Sequence, residues 1–439
     1  MSNFTKEQLI GLDKKHFLHP TSNLQQQQED GPAIIFKKGE GIYVEDIDGN
    51  RYIEGMSSLW NVNVGYGRIE LAEIAKEQIE QLSFSSTFST YSHEPVIKLA
   101  AKIAELTPGD LNTVFFTSGG SESNDSAIKL ARHFWNILGK HERRKIISRK
   151  KAYHGVAMGA TSATGIPEFW KFAHVSPEFF HVETTSTEEI RKIIEKEGPE
   201  TIAAFMAEPV VGAGGIVIPP ENYFKEVREI CDEYGILFIA DEVITGFGRT
   251  GKWFGIENWD VVPDIMTIAK GVSSGYIPLG GVVLSEKIHQ TFIEKSEGTL
   301  FHGFTYSGHP VATAVALKNI EILEEENLVE NSRQMGKELL NGFKQLENEV
   351  PVLGNGRTVG LLAAIEIYKD PTTEERFETK KAPQVVVEAV KRGLICRSVI
   401  YNDADSIVLA PPLTINKEQI KELVSILKES VEAAVAVTN

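Results

Sequence analysis

The sequence predicts an α/β protein whose larger domain holds a mainly parallel central sheet flanked by helices. Between about residues 95 and 310, short apolar runs bounded by turn residues alternate with helical patterns, which is typical of a parallel sheet. At 439 residues the chain is too long for one compact core, so we also predict a smaller α/β domain built from both chain ends. The runs expected to form central strands are 114–117, 145–149, 202–207, 236–241, 265–269 and 280–284.

The two ends of the chain supply the predicted smaller domain. Residues 1–35 are polar and rich in glutamine, which favours an irregular arm with one short helix. Runs at 42–46 and 51–54 flank a turn signal at 47–50 and predict a β-hairpin. After residue 310 the patterns predict helices at 311–325, 331–347, 383–391 and 416–433, and strands at 360–367, 394–396 and 407–409. The predicted boundaries are 59–311 for the large domain, with 1–58 and 312–439 as the two parts of the small domain.

Composition and charge disfavour several classes of function. The formal net charge is −16, whereas nucleic acids and anionic membranes attract a basic face. Cys231 and Cys396 are the only cysteines and lie in apolar surroundings, which argues against a disulfide framework or a metal cluster. Residues 1–20 lack a signal-peptide pattern, and no apolar run reaches membrane-spanning length. We therefore expect a cytoplasmic protein that acts on small molecules without a metal.

Two charged residues end predicted buried strands. Asp241 closes the run 236–241, and Lys270 directly follows the run 265–269. Because α/β folds bind ligands at the carboxyl ends of parallel strands, this amine and this carboxylate would meet at one edge of the sheet. The pair suits pyridoxal phosphate, since a lysine forms a Schiff base with its aldehyde and a carboxylate keeps its pyridine nitrogen protonated. Taken alone, either residue is more often a solvent-reaching lysine or a turn carboxylate.

A glycine turn between a strand and a helix predicts an anion site. The strand at 114–117 is followed by Ser-Gly-Gly-Ser at 118–121 and by an amphipathic helix at 124–139. Backbone N–H groups point outward at such a helix start, and the helix dipole favours a phosphate. The turn lacks the Gly-Lys-[Ser/Thr] of nucleotide-binding loops, so a nucleoside triphosphate is not expected. Ser121 also suits an ordinary helix N-cap, which is compatible with either reading.

A second glycine-rich segment, Gly-Phe-Gly-Arg-Thr-Gly at 246–251, matches the dinucleotide-binding pattern. Residues 252–255 after it do not open a helix, and no acidic strand end follows about twenty residues later, as a ribose contact would require. We interpret the segment as a turn.

Seven short motifs occur in one order along the chain. They are Ser-Gly-Gly-Ser-Glu-Ser-Asn-Asp at 118–125, Tyr-His-Gly at 153–155, Glu-Pro at 208–209, Asp-Glu-Val at 241–243, Lys-Gly at 270–271, Thr-Tyr-Ser-Gly at 305–308 and Ala-Pro-Pro-Leu at 410–413. Together they resemble the class III (ω) aminotransferases, pyridoxal 5'-phosphate enzymes of fold type I. The resemblance covers residues 41–413 and is closest to pyruvate-dependent ω-amine, taurine and β-alanine transaminases. The ordered set is specific, although no single motif would suffice.

The resemblance implies roles for the residues of a cofactor site. Lys270 would bind the cofactor and shuttle the substrate proton, Asp241 would pair with the pyridinium nitrogen, and Tyr153 would stack on the ring. These three are the expected catalytic residues. Thr305 would reach the phosphate of a neighbouring subunit, so a homodimer is expected, and pairing into tetramers is left open. The other expected cofactor contacts are Gly120 and Ser121 at the phosphate, Val243 on the second ring face, His154 and Glu208.

Three residues are expected to contact the amine and keto acid substrates. Trp60 and Phe88 lie in aromatic segments that would wall the pocket, and packing at a dimer interface is the alternative for both. Arg397 matches the position where pyruvate-dependent ω-transaminases keep a mobile arginine, which would hold a keto acid's carboxylate by a bidentate contact. The alternative for Arg397 is a surface arginine near Asp403 and Asp405.

Two positions separate the candidate substrates. Ornithine- and GABA-type relatives place an arginine two residues before Ala-Pro-Pro, where this chain has Val408. Diaminopelargonate synthases share Trp60 and an arginine like Arg397, but usually carry a second tryptophan where this chain has Leu59. We therefore predict ping-pong transamination from taurine, β-alanine or a simple ω-amine to pyruvate. The alternative is the adenosylmethionine-8-amino-7-oxononanoate aminotransferase (diaminopelargonate synthase) of biotin synthesis, followed by a pyridoxal-phosphate mutase or racemase and by a non-catalytic scaffold.

Overall fold

The computed structural model describes residues 4–401 and 404–436, and this part of the chain contains fifteen β-strands and fifteen α-helices. The strands are β1 Phe36–Glu40, β2 Tyr43–Asp46, β3 Arg51–Glu54, β4 Leu111–Thr117, β5 Lys145–Arg149, β6 Phe179–Val182, β7 Ile202–Ala207, β8 Leu237–Asp241, β9 Ile265–Ile268, β10 Gly280–Ser285, β11 Leu353–Val359, β12 Leu362–Ile367, β13 Leu394–Ile395, β14 Arg397–Val399 and β15 Ser406–Leu409. The helices are α1 Lys6–His16, α2 Leu24–Asp30, α3 Ser57–Trp60, α4 Ile69–Leu82, α5 Glu94–Leu106, α6 Gly120–Ile137, α7 Met158–Ala163, α8 Pro167–Trp170, α9 Thr187–Glu197, α10 Tyr223–Tyr234, α11 Glu286–Lys295, α12 Pro310–Glu325, α13 Leu328–Glu349, α14 Ala382–Lys391 and α15 Lys417–Ala436.

The central sheet has seven strands in the order β4-β10-β9-β8-β7-β5-β6. The strands from β9 to β6 in this order pair in parallel, whereas β10 is antiparallel to both β4 and β9. β4 therefore points the same way as the parallel set, and the predicted mainly parallel sheet is confirmed. Every residue of β7 and β8 is buried, as expected for strands covered by helices on both faces.

Two smaller sheets form from the ends of the chain. In the sheet β1-β2-β3-β13, the predicted N-terminal hairpin β2–β3 is joined by the C-terminal strand β13, which pairs in parallel with β3. The sheet β11-β12-β15-β14 is antiparallel and lies entirely in the C-terminal part. Strands from both ends thus share one sheet, while the domain boundaries at residues 58 and 311 stay a prediction.

The N-terminal arm is more helical than the sequence predicts, because α1 and α2 both form where one short helix was expected. Thr5 and Gln8 make a capping box at the start of α1, and the Asn23 side chain accepts the amide protons of Gln25 and Gln26 in α2. These caps satisfy free N–H groups of two helices that bury none of their own residues.

Other elements also depart from the sequence patterns. Helix α6 begins at Gly120 rather than at residue 124, because the Ser123 N–H already donates to the Gly119 carbonyl at 3.0 Å in the helical pattern. Strands β1, β6, β11 and β14 are not predicted. β1 is a mostly exposed edge strand and β11 has an irregular register with β12, so neither shows a regular apolar alternation. Cys231 and Cys396 are free and buried, as their apolar surroundings predict. Among the described helices, none is long and apolar enough to cross a membrane.

Candidate active site

A cavity of about 190 Å3 lies at the edge of the central sheet where its parallel strands end. The loops that follow β4, β5, β7, β8 and β9 all contribute to it, as α/β ligand sites generally require. All the residues expected to contact the cofactor line this cavity except Thr305. The lining residues are Gly120, Ser121, Asn124, Tyr153, His154, Gly155, Glu208, Asp241, Val243, Ile244 and Lys270.

The carboxylate of Asp241 is buried and held in one orientation. Its Oδ2 accepts hydrogen bonds from His154 Nδ1 and Asn124 Nδ2, each at 2.7 Å. Its Oδ1 accepts from the Val243 backbone N–H at 3.0 Å, and Thr267 Oγ1 lies 3.3 Å from it. These donors compensate for the loss of water around a buried charge. Asp241 therefore presents a fixed negative charge to the cavity.

The backbone at Lys270 is strained and anchored. Lys270 begins a short 3-10 turn, Lys270–Val272, and has a φ of 47°, a conformation that costs a non-glycine residue about 1–3 kcal/mol. The Asn319 side chain donates to the carbonyls of Gly271 and Val272 at 2.9 and 3.0 Å and so holds the turn in place. The amine at Lys270 Nζ lies 5.7 Å from the centre of the Trp60 ring.

Burial lowers the pKa of Lys270 to about 8, and the carboxylates of Asp241 and Glu208 oppose this shift. In the cofactor-free protein, we expect the amine to be an ammonium below about pH 8 and neutral above it. The pH dependence of Lys270 acylation, followed by mass spectrometry, measures the midpoint. Asp241→Asn should move this midpoint to lower pH, because it removes a charge that favours the ammonium form. A midpoint near the ordinary value of 10.5 would contradict the expectation.

Two turns form a corner rich in backbone N–H groups at the start of α6. The helix begins after Gly119, and no side chain in the described chain caps it, so its first N–H groups are available to an anion. The Val156 N–H donates to Ser121 Oγ at 3.1 Å and joins the turn after β5 to this corner. A side chain at Gly120 would lie 2.8 Å from Val243 Cγ1, so glycine lets the two walls approach.

Glu208 positions the backbone of Tyr153. Its Oε1 accepts the Tyr153 N–H at 3.1 Å, and its Oε2 accepts the Gly212 N–H at 2.9 Å. Burial raises the pKa of the Glu208 carboxyl. Tyr153 is half-buried, and its ring centre lies 5.2 Å from that of Phe169. The aromatic Tyr153 and the aliphatic Val243 both line the cavity, and such side chains suit a flat ring.

Trp60 and Arg397 lie beside the amine of Lys270. Trp60 is 4% exposed, and the guanidinium carbon of Arg397 lies 5.2 Å from the centre of its ring. The Arg397 side chain forms no hydrogen bond or ion pair with residues 4–401 or 404–436. Asp405 is occupied elsewhere, since its carboxylate accepts the N–H groups of Lys381 and Ala382 at 2.8 Å, and Asp403 lies outside the described residues.

Two expected site residues lie outside the cavity of this single chain. Phe88 is 50% exposed and lines a separate hollow of about 860 Å3, where it packs against Gly303. Thr305 is exposed and does not line the 190 Å3 cavity. Its expected contact is with another subunit, so that role stays a prediction.

Asn124 and Thr267 are site residues with no role predicted from the sequence. Thr267 Oγ1 donates to Asn124 Oδ1 at 2.7 Å, and Asn124 Nδ2 in turn donates to Asp241. One signal was available: Thr267 is a lone hydroxyl inside the apolar run 265–269, where an unpaired polar group would be costly.

The residues of the cavity fit pyridoxal phosphate. The corner at α6 offers donors to a phosphate, Asp241 offers a fixed carboxylate to a pyridine nitrogen, and Lys270 offers an amine to an aldehyde. The deep burial of Asp241 and Glu208 in one cavity is otherwise costly for a protein.

Comparisons with known proteins agree with this fit. Residues 24–431 match the family model for aminotransferase class-III. A solved transaminase from the marine bacterium Virgibacillus is 58% identical, with a TM-score of 0.97 over 98% of this chain and all of that one. The ω-transaminase from Pseudomonas jessenii, solved in complex with PMP, is 37% identical, with a TM-score of 0.93 over 98% of each chain. The putrescine–pyruvate aminotransferase of Pseudomonas aeruginosa is 39% identical over 99% of this chain and 98% of its own.

The matched region includes every residue of the cavity, and the fold and the donor set agree with the family assignment. The chain therefore belongs to the class III aminotransferases, pyridoxal-phosphate enzymes that move an amino group from an amine to a keto acid.

Proposed function

We propose that this enzyme moves an amino group from an ω-amine donor, such as taurine, β-alanine or a simple amine, to pyruvate by a ping-pong mechanism. The observation that carries the proposal is the guanidinium of Arg397, which packs beside Trp60 and pairs with no carboxylate among residues 4–401 and 404–436. Lys270 Nζ lies 5.7 Å from the centre of the same indole ring, and the guanidinium carbon of Arg397 lies 5.2 Å from it. A keto acid bound beside this ring would place its carboxylate at Arg397 and its carbonyl towards Lys270.

Arg397 is suited to bind a carboxylate reversibly. Its contact with the Trp60 ring is worth about 0.5–2 kcal/mol, whereas a bidentate guanidinium–carboxylate pair is stronger and directional. A donor without an acid group has no anion that would pair with this guanidinium. Val408 pairs with Arg397 across β14 and β15 and is fully buried, so this position offers no second cation for a dicarboxylate. The name of the Pseudomonas aeruginosa relative, which includes putrescine and pyruvate, supports the same pairing of substrates.

The proposed roles of the cavity residues follow from their geometry. When bound, pyridoxal phosphate supplies an electron sink that stabilises the negative charge left when a substrate carbon loses its proton. Lys270 Nζ takes this proton and returns it, and its lowered pKa makes the neutral amine that can accept a proton more available near neutral pH than an ordinary lysine's would be. Asp241, fixed by His154 and Asn124, would hold the cofactor's ring nitrogen in its protonated form. Glu208 holds Tyr153 as one wall of the cavity, and Val243 forms another.

The proposed active unit is a homodimer. Several exposed aromatic residues lie near Thr305, and the ring of Phe84 lies 6.0 Å from that of Tyr306. Phe88 and Phe301 line the 860 Å3 hollow beside them, and Phe301 is 95% exposed. An exposed apolar surface of this kind suits a second copy of the chain, which would bring Thr305 and Phe88 to a neighbouring site.

Single half-reactions test the substrates. Enzyme loaded with pyridoxal phosphate is mixed separately with taurine, β-alanine, a simple aryl amine and S-adenosylmethionine, and the absorption band of the bound cofactor is followed. We expect an ω-amine to bleach the band and pyruvate to restore it. Restoration by 2-oxoglutarate but not by pyruvate would contradict the acceptor. Bleaching by S-adenosylmethionine alone would assign the enzyme to biotin synthesis, and failure of every amine to give a stable bleached form would favour a mutase or racemase.

A further inference from the structure

The glycine-rich turn at 246–251 carries a fully buried arginine, Arg249. Its guanidinium donates to four acceptors from distant parts of the chain. Nη1 reaches the carbonyls of Leu361 and Pro411 at 3.1 and 2.6 Å, and Nη2 reaches Ser57 Oγ and Asn63 Oδ1 at 3.0 and 2.8 Å. Arg249 therefore joins the loop after β8 to residues 57–63, the segment that carries Trp60, and to the Ala-Pro-Pro-Leu loop at 410–413.

The segment that carries Trp60 needs such support because its backbone is strained. Ser57, Ser58 and Trp60 all have positive φ values, of 46°, 60° and 60°. The buried carboxylate of Glu54 accepts the N–H groups of Met56, at 3.3 Å, and of Ser58. Arg249 holds the other side of the segment through the Ser57 hydroxyl, as described above. The strained conformation is thus fixed by a carboxylate on one side and a guanidinium on the other.

The same network reaches the loop of Lys270. Asn63, which accepts from Arg249, donates to the Phe247 carbonyl at 2.8 Å. Asn63 also packs closely against Gly271, since a Cβ there would lie 2.5 Å from Asn63 Nδ2. The Ser57 hydroxyl donates to the Ala410 carbonyl at 2.7 Å.

The ring of Trp60 depends on this backbone for its position. Its indole N–H is buried and finds no hydrogen-bond acceptor in the described part of the chain. The strained segment therefore sets where the ring stands between Lys270 and Arg397. Arg249 itself does not line the cofactor cavity.

We propose that Arg249 is a positioning residue that fixes Trp60, and through it the carboxylate-binding orientation of Arg397. This inference rests on the proposed function, in which Arg397 binds the keto acid. A merely structural role would lower stability without changing carboxylate affinity in a Trp60-dependent way. The glycine-rich turn at 246–251 matches a dinucleotide-binding pattern in sequence. In this proposal it instead supports the substrate-binding residues Trp60 and Arg397.

A double-mutant cycle with Arg249→Lys and Trp60→Ala tests the proposal. The dissociation constant of 3-phenylpropionate, a carboxylate that cannot react, is measured on the holoenzyme from the shift of the cofactor's absorption band. We expect Arg249→Lys to weaken binding about tenfold when Trp60 is present and less than about twofold in the Trp60→Ala background. The matched control is Arg143→Lys, another buried arginine that donates to the backbone carbonyls of Ile202, Tyr234 and Gly235. It should leave the dissociation constant unchanged.

Ser57→Ala provides a milder variant if Arg249→Lys does not fold, because it removes one contact of the guanidinium and keeps the other three. It should weaken binding in the same Trp60-dependent manner. Equal losses with and without Trp60, or no loss, would overturn the positioning role. A wild-type holoenzyme that neither binds the carboxylate nor recovers its band with pyruvate would instead overturn the proposed function, so the two failures are distinguishable.

Discussion

Lys270→Ala is expected to lower turnover by at least about 10³-fold, because proton transfer by a positioned side chain contributes about 10²–10⁴-fold to catalysis. Alanine can neither carry the proton nor bind an aldehyde covalently. The variant should still retain pyridoxal phosphate, since the donors at the start of α6 and the carboxylate of Asp241 are untouched. Single-turnover mixing with an amine measures the rate, and equilibrium dialysis measures the retained cofactor.

Lys252→Ala is a matched control, since Lys252 is exposed and lies outside the cavity. It should keep the wild-type rate. If Lys270→Ala keeps turnover within about tenfold of the wild-type value, Lys270 does not transfer the substrate proton. Simultaneous loss of cofactor binding would mean that the N–H groups at the start of α6 and Asp241 do not hold the cofactor on their own.

Arg397→Ala should slow the pyruvate half-reaction by about 10²-fold or more, since truncating one partner of a buried charge pair costs about 2–5 kcal/mol. The half-reaction with an uncharged amine should change by less than about threefold, because that donor forms no ionic contact with the guanidinium. Recovery and bleaching of the cofactor's absorption band measure the two half-reactions separately.

The control for this prediction is Arg392→Ala. Arg392 is half-buried close to Arg397 in sequence, but its guanidinium pairs with Glu388 at 2.7 Å and does not line the cavity. Its removal should affect neither half-reaction. If Arg397→Ala damages both half-reactions equally, Arg397 acts on packing around Trp60 rather than on the keto acid.

The location of the site was predictable because it depends on order along the chain. Short apolar runs identify β8 and β9 as buried strands, so Asp241 and Lys270 had to emerge at the same edge of a parallel sheet. The turn that leads from β4 into α6 was predictable for the same reason, since a strand, a glycine turn and a helix are all local patterns. The N-terminal arm shows where this reasoning fails: side-chain caps made two helices from a polar segment without apolar periodicity.

The sequence by itself determined the sheet, the family and the residues that meet at the strand ends. Only the tertiary structure decided which buried polar groups pair: Asn124 with Asp241 across 117 positions, and Arg249 with Pro411 across 162. It also decided that Arg397 stands beside Trp60 rather than Asp405, and that burial lowers the pKa of Lys270. The physical reason is that hydrophobic periodicity reports which residues leave water, whereas hydrogen bonds and pKa values depend on which groups then become neighbours.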